Sequence, residues 1–377
     1  MRDKTHQRRP KGFNAALLCF AACIMVASFS KAMPAHAQAF AGMGAPSDGY
    51  TMPQPYPNFT FPQDHGPHPD FRIEWWYVTA NLAADDGTAY GLQWTLFRSA
   101  LAPEATPQET SRSWKSSQIW FCHAAVTGRD FHHATERYAR GGIGQAGVTA
   151  KPFQAWCDDW QMAGDTLNRV TLNAAGPDFS YSLELTADKG LVRHGLGGYS
   201  VKSTTGQASY YYSQPHFSAQ GTLRLARANG AEPQEIPVSG SAWLDREWSS
   251  QPLAENQTGW DWFSLNFDNG AKLMAFSLRQ TDEETYRSAT WIAPNGESSD
   301  LAQPALTLRP MDFTQVADRK IPTQWSIKST NSGKPLDIVV TALNPRSWMD
   351  LSIPYWEGPV RISGSHTGTG YLEMTGY

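Results

Sequence analysis

Cysteine is scarce. The chain has four, Cys19, Cys23, Cys122 and Cys157, of which the first two sit near the N-terminus. At most one disulfide, Cys122 to Cys157, could therefore form in an exported chain, and two buried free thiols are the equal alternative. Past residue 40 no apolar run is long enough to cross a bilayer. A Gly-x-Ser-x-Gly elbow is missing, so a Ser-His-Asp hydrolase has no anchor. Phosphate-cradling loops are missing too, because Gly141-Gly142-Ile143-Gly144 precedes no clear helix. Helical periodicity is almost absent, with residues 130–140 the one plausible helix. Metal ligands are sparse. His65-Gly66-Pro67-His68 has ligand-like spacing but no third or fourth partner, and His123, His132 and His133 lie far off in sequence. No metal and no cofactor are expected.

What is present begins with an export signal. Arg2, Lys4, Arg8, Arg9 and Lys11 precede an apolar stretch over 13–30, and Ala35-His36-Ala37 forms a small-residue cleavage site. Residues 1–37 read as a signal peptide, so the mature chain is expected to be secreted, in the periplasm, touching membrane only before cleavage. The signal holds six of the 31 Lys and Arg and one of the 35 Asp and Glu, leaving 25 basic against 34 acidic residues. A net charge of −9 after cleavage argues against a nucleic-acid partner, which would require a basic face.

Residues 38–64 are rich in Gly, Ala and Pro and read as a disordered lead-in. Beyond them, 15 Trp, 14 Tyr and 17 Phe accompany short alternating runs and turn clusters. Runs at 117–126, 170–173, 179–186, 222–226, 236–244, 336–343 and 360–363 read as strands. Two segments repeat one pattern. Residues 74–98 and 260–279 each hold an aromatic strand, a turn signal (Asp86-Gly87, Asn269-Gly270) and a second strand ending in Arg. With two-residue turns, Arg98 falls opposite Trp75 and Arg279 opposite Trp260. A duplicated β unit follows: an all-β chain of two related domains, barrels or sandwiches of antiparallel strands, at 65–235 and 236–377.

The landmarks that carry a resemblance are spread over nearly all of 65–377. They include His68-Pro69, Glu74-Trp75-Trp76-Tyr77, Gly197-Gly198-Tyr199-Ser200 and Ala208-Ser209-Tyr210-Tyr211-Tyr212-Ser213. Trp243-Leu244-Asp245-Arg246-Glu247-Trp248, Gly259-Trp260-Asp261-Trp262-Phe263, Tyr355-Trp356-Glu357-Gly358 and Gly370-Tyr371-Leu372-Glu373 complete the set. The chain resembles the carotenoid 1,2-hydratase (hydroxyneurosporene synthase) and AttH-like family of lipocalin-like proteins, many labelled predicted secreted hydrolases. The resemblance implies two lipocalin-like antiparallel β-barrel domains packed together, with apolar cargo and, in some members, addition of water to an isoprenoid double bond. It also implies cycloaddition chemistry in fungal relatives and the company of export transporters for AttH-like members. Where the Asp-x-Glu-Trp motif often carries His, this chain has Arg246, so a proton-shuttling role for that His does not transfer.

Hydrating an unactivated alkene takes a strong acid and shelter for a tertiary cation. A carboxyl group in an apolar pocket supplies the first, because desolvation raises its pKa. Ring faces supply the second. Asp245, Glu247 and Asp261 are the candidate proton donors. Trp75, Trp76, Tyr77, Tyr211, Trp243, Trp248, Trp260 and Trp262 are the candidate ligand-lining rings. Period two puts Asp245 and Glu247 on one face of their strand with Arg246 and Trp248 on the other, and separates Trp75 and Tyr77 from Trp76. The competing reading makes these acids partners of Arg98, Arg246 or Arg279 in structural ion pairs. Two functions therefore stand open: a carotenoid-hydratase-type hydro-lyase acting on an apolar isoprenoid or lipid-like molecule, and a non-catalytic carrier of such a molecule beside an ABC-type export transporter.

Overall fold

The computed structural model describes residues 47–103, 116–227, 231–281, 284–301, 305–330 and 335–377. The signal peptide, Cys19, Cys23, the lead-in up to residue 46 and the turn at Asn229-Gly230 lie outside the described residues. The chain is nearly all β, 64% strand, built as one nearly closed barrel and one half-barrel. Among the described residues the sole helical element is a 3-10 turn at Gln63–His65.

The first sheet starts with β1 (Ile73–Ala84), β2 (Ala89–Ala100), β3 (Gln118–Thr127) and β4 (His132–Arg140). It continues through β5 (Ala146–Ala150), β6 (Phe153–Cys157), β7 (Trp160–Thr166), β8 (Arg169–Ala175) and β9 (Phe179–Ala187). Short β10 (Val192–Arg193) and β11 (Tyr199–Val201) lead to the long β12 (Ala208–Leu225) and β13 (Gln234–Ser249). Its order is β4-β3-β2-β1-β13-β12-β9-β8-β7-β6-β5, with β10 and β11 both paired to β12. The second sheet holds β14 (Gln257–Phe267), β15 (Lys272–Gln280), β16 (Tyr286–Ile292), β17 (Ser298–Leu301) and β18 (Leu306–Val316). After these come β19 (Arg319–Ser329), β20 (Leu336–Ala342), β21 (Trp348–Met349), β22 (Tyr355–Gly364) and β23 (Gly368–Met374). Its order is β17-β16-β15-β14-β23-β22-β20-β19-β18, with β21 on β22. Because β13 pairs with β1 and β12, the change of sheet falls between Ser249 and Gln257, not at 235/236.

Both repeated hairpins close through three-residue loops. Ala84 N–H donates to Thr88 O across Asp85-Asp86-Gly87, and Phe267 N–H donates to Ala271 O across Asp268-Asn269-Gly270. Gly87 (φ 81°) and Gly270 (φ 85°) supply the left-handed residue such a loop requires. The extra loop residue moves the register by one. Arg98 lies opposite Glu74 rather than Trp75, and Arg279 opposite Gly259 rather than Trp260. Residues 130–140 are also corrected. Their Ala, Glu and Arg suit a helix, but His132–Arg140 pairs along the whole of β3 as strand β4.

Burial follows from how many faces a strand must cover. β9 has one face in the core, and Phe179, Tyr181, Leu183 and Leu185 alternate with more exposed neighbours. β1 is covered on both faces. Trp76, Val78, Ala80 and Leu82 enter the first sheet's own core, while Ile73 and Tyr77 face a seam shared with the second sheet. β14 does the same with Phe263 and Leu265 inward and Trp262 in the seam. Each aliphatic or phenyl side chain fully buried this way stabilises the fold by roughly 1.5–3 kcal/mol. Cys122 and Cys157 are buried free thiols in the first core.

The lead-in departs from the expected disorder over its described part. Phe59 packs edge-on against Tyr210, Tyr212 and Trp248 with ring centres 5.6–6.1 Å apart, and Phe61 stacks on His65. Glu74 anchors the same end. It is fully buried, accepts from Arg98 Nε and Arg246 Nη2, and receives the His68 N–H at 2.9 Å. The Arg246 guanidinium also lies 3.8 Å from the Trp76 ring centre and 4.8 Å from that of Trp248.

Candidate functional site

Period two along β13 turns Trp243, Asp245 and Glu247 to the seam and Leu244, Arg246 and Trp248 to the core of the first sheet. Across the seam β14, β15 and β23 present Trp260, Trp262, Phe276, Leu278 and Glu373. The two walls leave about 650 Å³ of empty space between them, part of it open to solvent. Trp75, Tyr77, Phe97 and Tyr211 complete the first wall, and Lys202, Pro252 and Leu253 flank it. A larger groove at the hairpin-loop end, about 1240 Å³, carries its charges on the exposed Asp268 and Arg361. It offers no desolvated acid.

Asp245 is 2% exposed and, among the described residues, makes no ion pair. Ser213 Oγ and Trp243 Nε1 (2.7 Å) both bond to its Oδ1. Burial pushes its pKa from 3.8 up to about 7, against the pull of Ser213, Trp243 and Tyr211, with Glu247 adding a little more. Glu373 stands on the opposite wall, partly exposed where it lines the pocket. Desolvation raises its pKa from 4.5 to about 8, although Trp260 Nε1 donates to it at 2.9 Å. Glu357, its cross-strand neighbour on β22, is raised well above 4.5 by burial and by Glu373, and accepts the Tyr77 hydroxyl. Glu247 differs: its Oε1 takes Lys202 Nζ at 2.9 Å and the Ser209 hydroxyl. The site thus sets carboxyl groups with pKa values raised by burial on both walls, beside Glu247, which is paired with the Lys202 ammonium. This is the arrangement by which a fold keeps an acid loaded at neutral pH.

The structure distributes the expected site residues unevenly. Trp75, Tyr77, Tyr211, Trp260, Trp262, Asp245 and Glu247 share the pocket. Trp243 stands behind it, bonded to Asp245. Trp76 and Trp248 face the other way, against Arg246 in the first core. Asp261 is also elsewhere. It is buried against Arg279 Nη1 and the Tyr377 hydroxyl (2.8 Å), on the face of β14 that Trp260 and Trp262 leave. Arg98 and Arg246 pair with Glu74, so neither neutralises Asp245. Glu357, Glu373 and Lys202 were not among the expected residues. A glutamate embedded in the apolar runs Tyr355-Trp356-Glu357 and Tyr371-Leu372-Glu373 was the available signal.

The model of the AttH-like family matches residues 52–377, most of the chain. The chain belongs to the AttH-like family. The crystal structure of a candidate AttH from Nitrosomonas europaea agrees, at 31% identity and a TM-score of 0.77, over 87% of this chain and 99% of that one. Kievitone hydratase from Nectria haematococca is similar in fold at 14% identity and a TM-score of 0.65, over 86% of this chain and 95% of its own. CghA, solved with Sch210972, shares the fold more distantly, at 12% identity and a TM-score of 0.50. None of the curated proteins matches the sequence. In this AttH-like chain, as the architecture shows, two lipocalin-like sheets build one pocket at their seam.

Proposed function

We propose that this protein binds an apolar, isoprenoid-like molecule in the seam pocket and adds water across one of its carbon–carbon double bonds. The observation that carries this reading is Asp245: a carboxyl group without an ion pair among the described residues, its pKa pushed by burial up to about 7 against a wall of rings. Its proton goes to one alkene carbon, forming a C–H bond from the π electrons and leaving a tertiary cation at the other. Trp75, Tyr77, Trp260 and Trp262 offer their faces to that cation. Each such contact is worth about 2 kcal/mol when water is excluded. Water then forms the C–O bond, and the Glu247 carboxylate, positioned by Lys202 and Ser209, takes the proton it sheds.

The likeness in fold to kievitone hydratase supports hydration as the reaction class. The basic and apolar residues before Ala37 support placing the reaction in the periplasm. Neurosporene, an apolar polyene with trisubstituted double bonds, tests the proposal. Wild-type protein should convert it to a product heavier by one water, Asp245→Asn should bind it without turnover, and Asp261→Asn should still turn it over. Binding by wild-type protein with no product would favour the carrier reading instead.

A further inference from the structure

His194 lies at the centre of a hydrogen-bonded row that the hydration step leaves unused. The residue directly follows β10, is fully buried, and its N–H donates to Tyr211 O at 3.1 Å. On one side Nε2 is 2.6 Å from Ser213 Oγ, which is itself bonded to Asp245 Oδ1. On the other side Nδ1 is 3.0 Å from Thr290 Oγ1, and Thr290 Oγ1 is 3.3 Å from Asp300 Oδ1. Ser213, His194 and Thr290 are buried, whereas Asp300 is exposed on β17, an edge of the second sheet. The row therefore joins the pocket acid to solvent, crossing from one sheet to the other between His194 and Thr290.

Counting hydrogens shows that the row can run in either direction. Each hydroxyl, and a neutral imidazole, has one hydrogen to give along it. With Asp245 ionised, Ser213 donates to Asp245, His194 Nε2–H donates to Ser213, and the Thr290 hydroxyl donates to Nδ1. With Asp245 neutral, its own hydroxyl donates to Ser213, Ser213 to Nε2, Nδ1–H to Thr290, and Thr290 to Asp300. Both arrangements satisfy every atom and differ by the tautomer of His194. Burial, with help from the Lys202 ammonium, pushes the His194 pKa down to about 3, so the ring stays neutral in either. The groups that face it are the Tyr211 ring at 4.2 Å, the Lys202 charge, and the two carboxyl groups at the ends of the row.

We propose that Ser213, His194, Thr290 and Asp300 are a proton relay that reloads Asp245 from solvent without passing through the apolar pocket. The proposal rests on the hydration reading above. From the arrangement with Asp245 ionised and the His194 hydrogen on Nε2, the Ser213 hydroxyl proton moves to Asp245 Oδ1 and the Nε2 proton moves to Ser213. The Thr290 hydroxyl proton then moves to Nδ1, and a proton from Asp300, drawn from bulk water, restores Thr290. Asp245 gains one proton and bulk water loses one, the His194 hydrogen ends on Nδ1, and the same transfers run in reverse, when Asp245 ionises to solvent, return it to Nε2.

A purely structural row would set the pKa of Asp245 or the stability of the fold, but not the rate at which Asp245 regains a proton. That rate is the readout. The carboxylic-acid C=O band of Asp245, identified by its absence in Asp245→Asn, is followed by infrared spectroscopy after a rapid drop in pH, on the full chain without ligand. Thr290→Val breaks the outer link while leaving Ser213, Trp243 and Tyr211 on Asp245. It should slow the band's return at least about tenfold with its equilibrium pKa unchanged, and Thr290→Ser should restore the rate. His194→Gln should be slowed as well, and if that variant does not fold, Thr290→Val carries the test. Return of the band at the wild-type rate in Thr290→Val would overturn the relay. The readout requires no substrate, so a failure of neurosporene to react would sink the hydration reading and leave this result standing separately.

Discussion

Replacing Asp245 by Asn should stabilise the protein, and only above the acid range. The pKa of Asp245 is about 7 in the fold against an ordinary 3.8, so folding favours the protonated form. That preference is fully expressed below about 3.8 and is lost as the pH rises through about 7. The two values lie about 3.2 pH units apart, and at about 1.36 kcal/mol for each the ionised group costs the fold about 4 kcal/mol at alkaline pH. Asp245 is 2% exposed, so little is subtracted for solvent screening. Asn cannot ionise and escapes the cost. Its altered hydrogen bonding to Ser213 and Trp243 adds an offset that does not vary with pH. Urea unfolding of both proteins across the pH range isolates the effect. The difference should be flat in acid, grow in favour of Asn between about 3.8 and 7, and level off a few kcal/mol higher. A difference that does not change with pH would refute the reasoning, because it would mean that Asp245 ionises as easily folded as unfolded.

Other parts of the molecule yield further expectations. Glu74→Gln leaves two buried guanidinium groups, Arg98 and Arg246, without their carboxylate, and should cost about 3–5 kcal/mol in urea unfolding. In the wild type, burial pushes Glu74 up but Arg98, Arg246 and His68 outweigh it and hold its pKa below 4.5. Its stabilisation is therefore present above that value and lost as the pH falls through the lower folded pKa. Gly91→Ala would set a Cβ 2.4 Å from Pro359 Cγ on the facing sheet, and should lower stability by about 1–3 kcal/mol in thermal unfolding. Trp262→Ala removes a pocket wall and the 3.1 Å bond to the Tyr211 hydroxyl, and should weaken neurosporene binding about tenfold, read by fluorescence quenching.

Much of the geometry could be read from period-two alternation. It puts Asp245 with Glu247 and sets Trp75 and Tyr77 apart from Trp76, because strand side chains change face at every residue whatever surrounds them. The repeated hairpin was legible for the same reason, but its register was not. A dipeptide such as Asp86-Gly87 does not say whether two or three residues close the loop, and one residue decides whether Arg98 meets Trp75 or Glu74. Strand β4 was hidden because Ala134, Glu136 and Arg137 suit a helix locally, and the edge of β3 overrides that preference. The second wall was hidden for a different reason. Glu373 and Asp245 are more than a hundred residues apart, and only the packing of the two sheets brings them to one pocket. The relay shares this property, since His194 and Thr290 come from different sheets.

The most direct measurement follows the proton itself. Neurosporene turned over by the wild-type protein in deuterium oxide should carry one deuterium on the carbon beside the newly hydroxylated one, with the label and the product both lost in Asp245→Asn. Product that forms without deuterium on that carbon, or that forms equally well in Asp245→Asn, would contradict protonation of the alkene by Asp245 in the seam between the sheets.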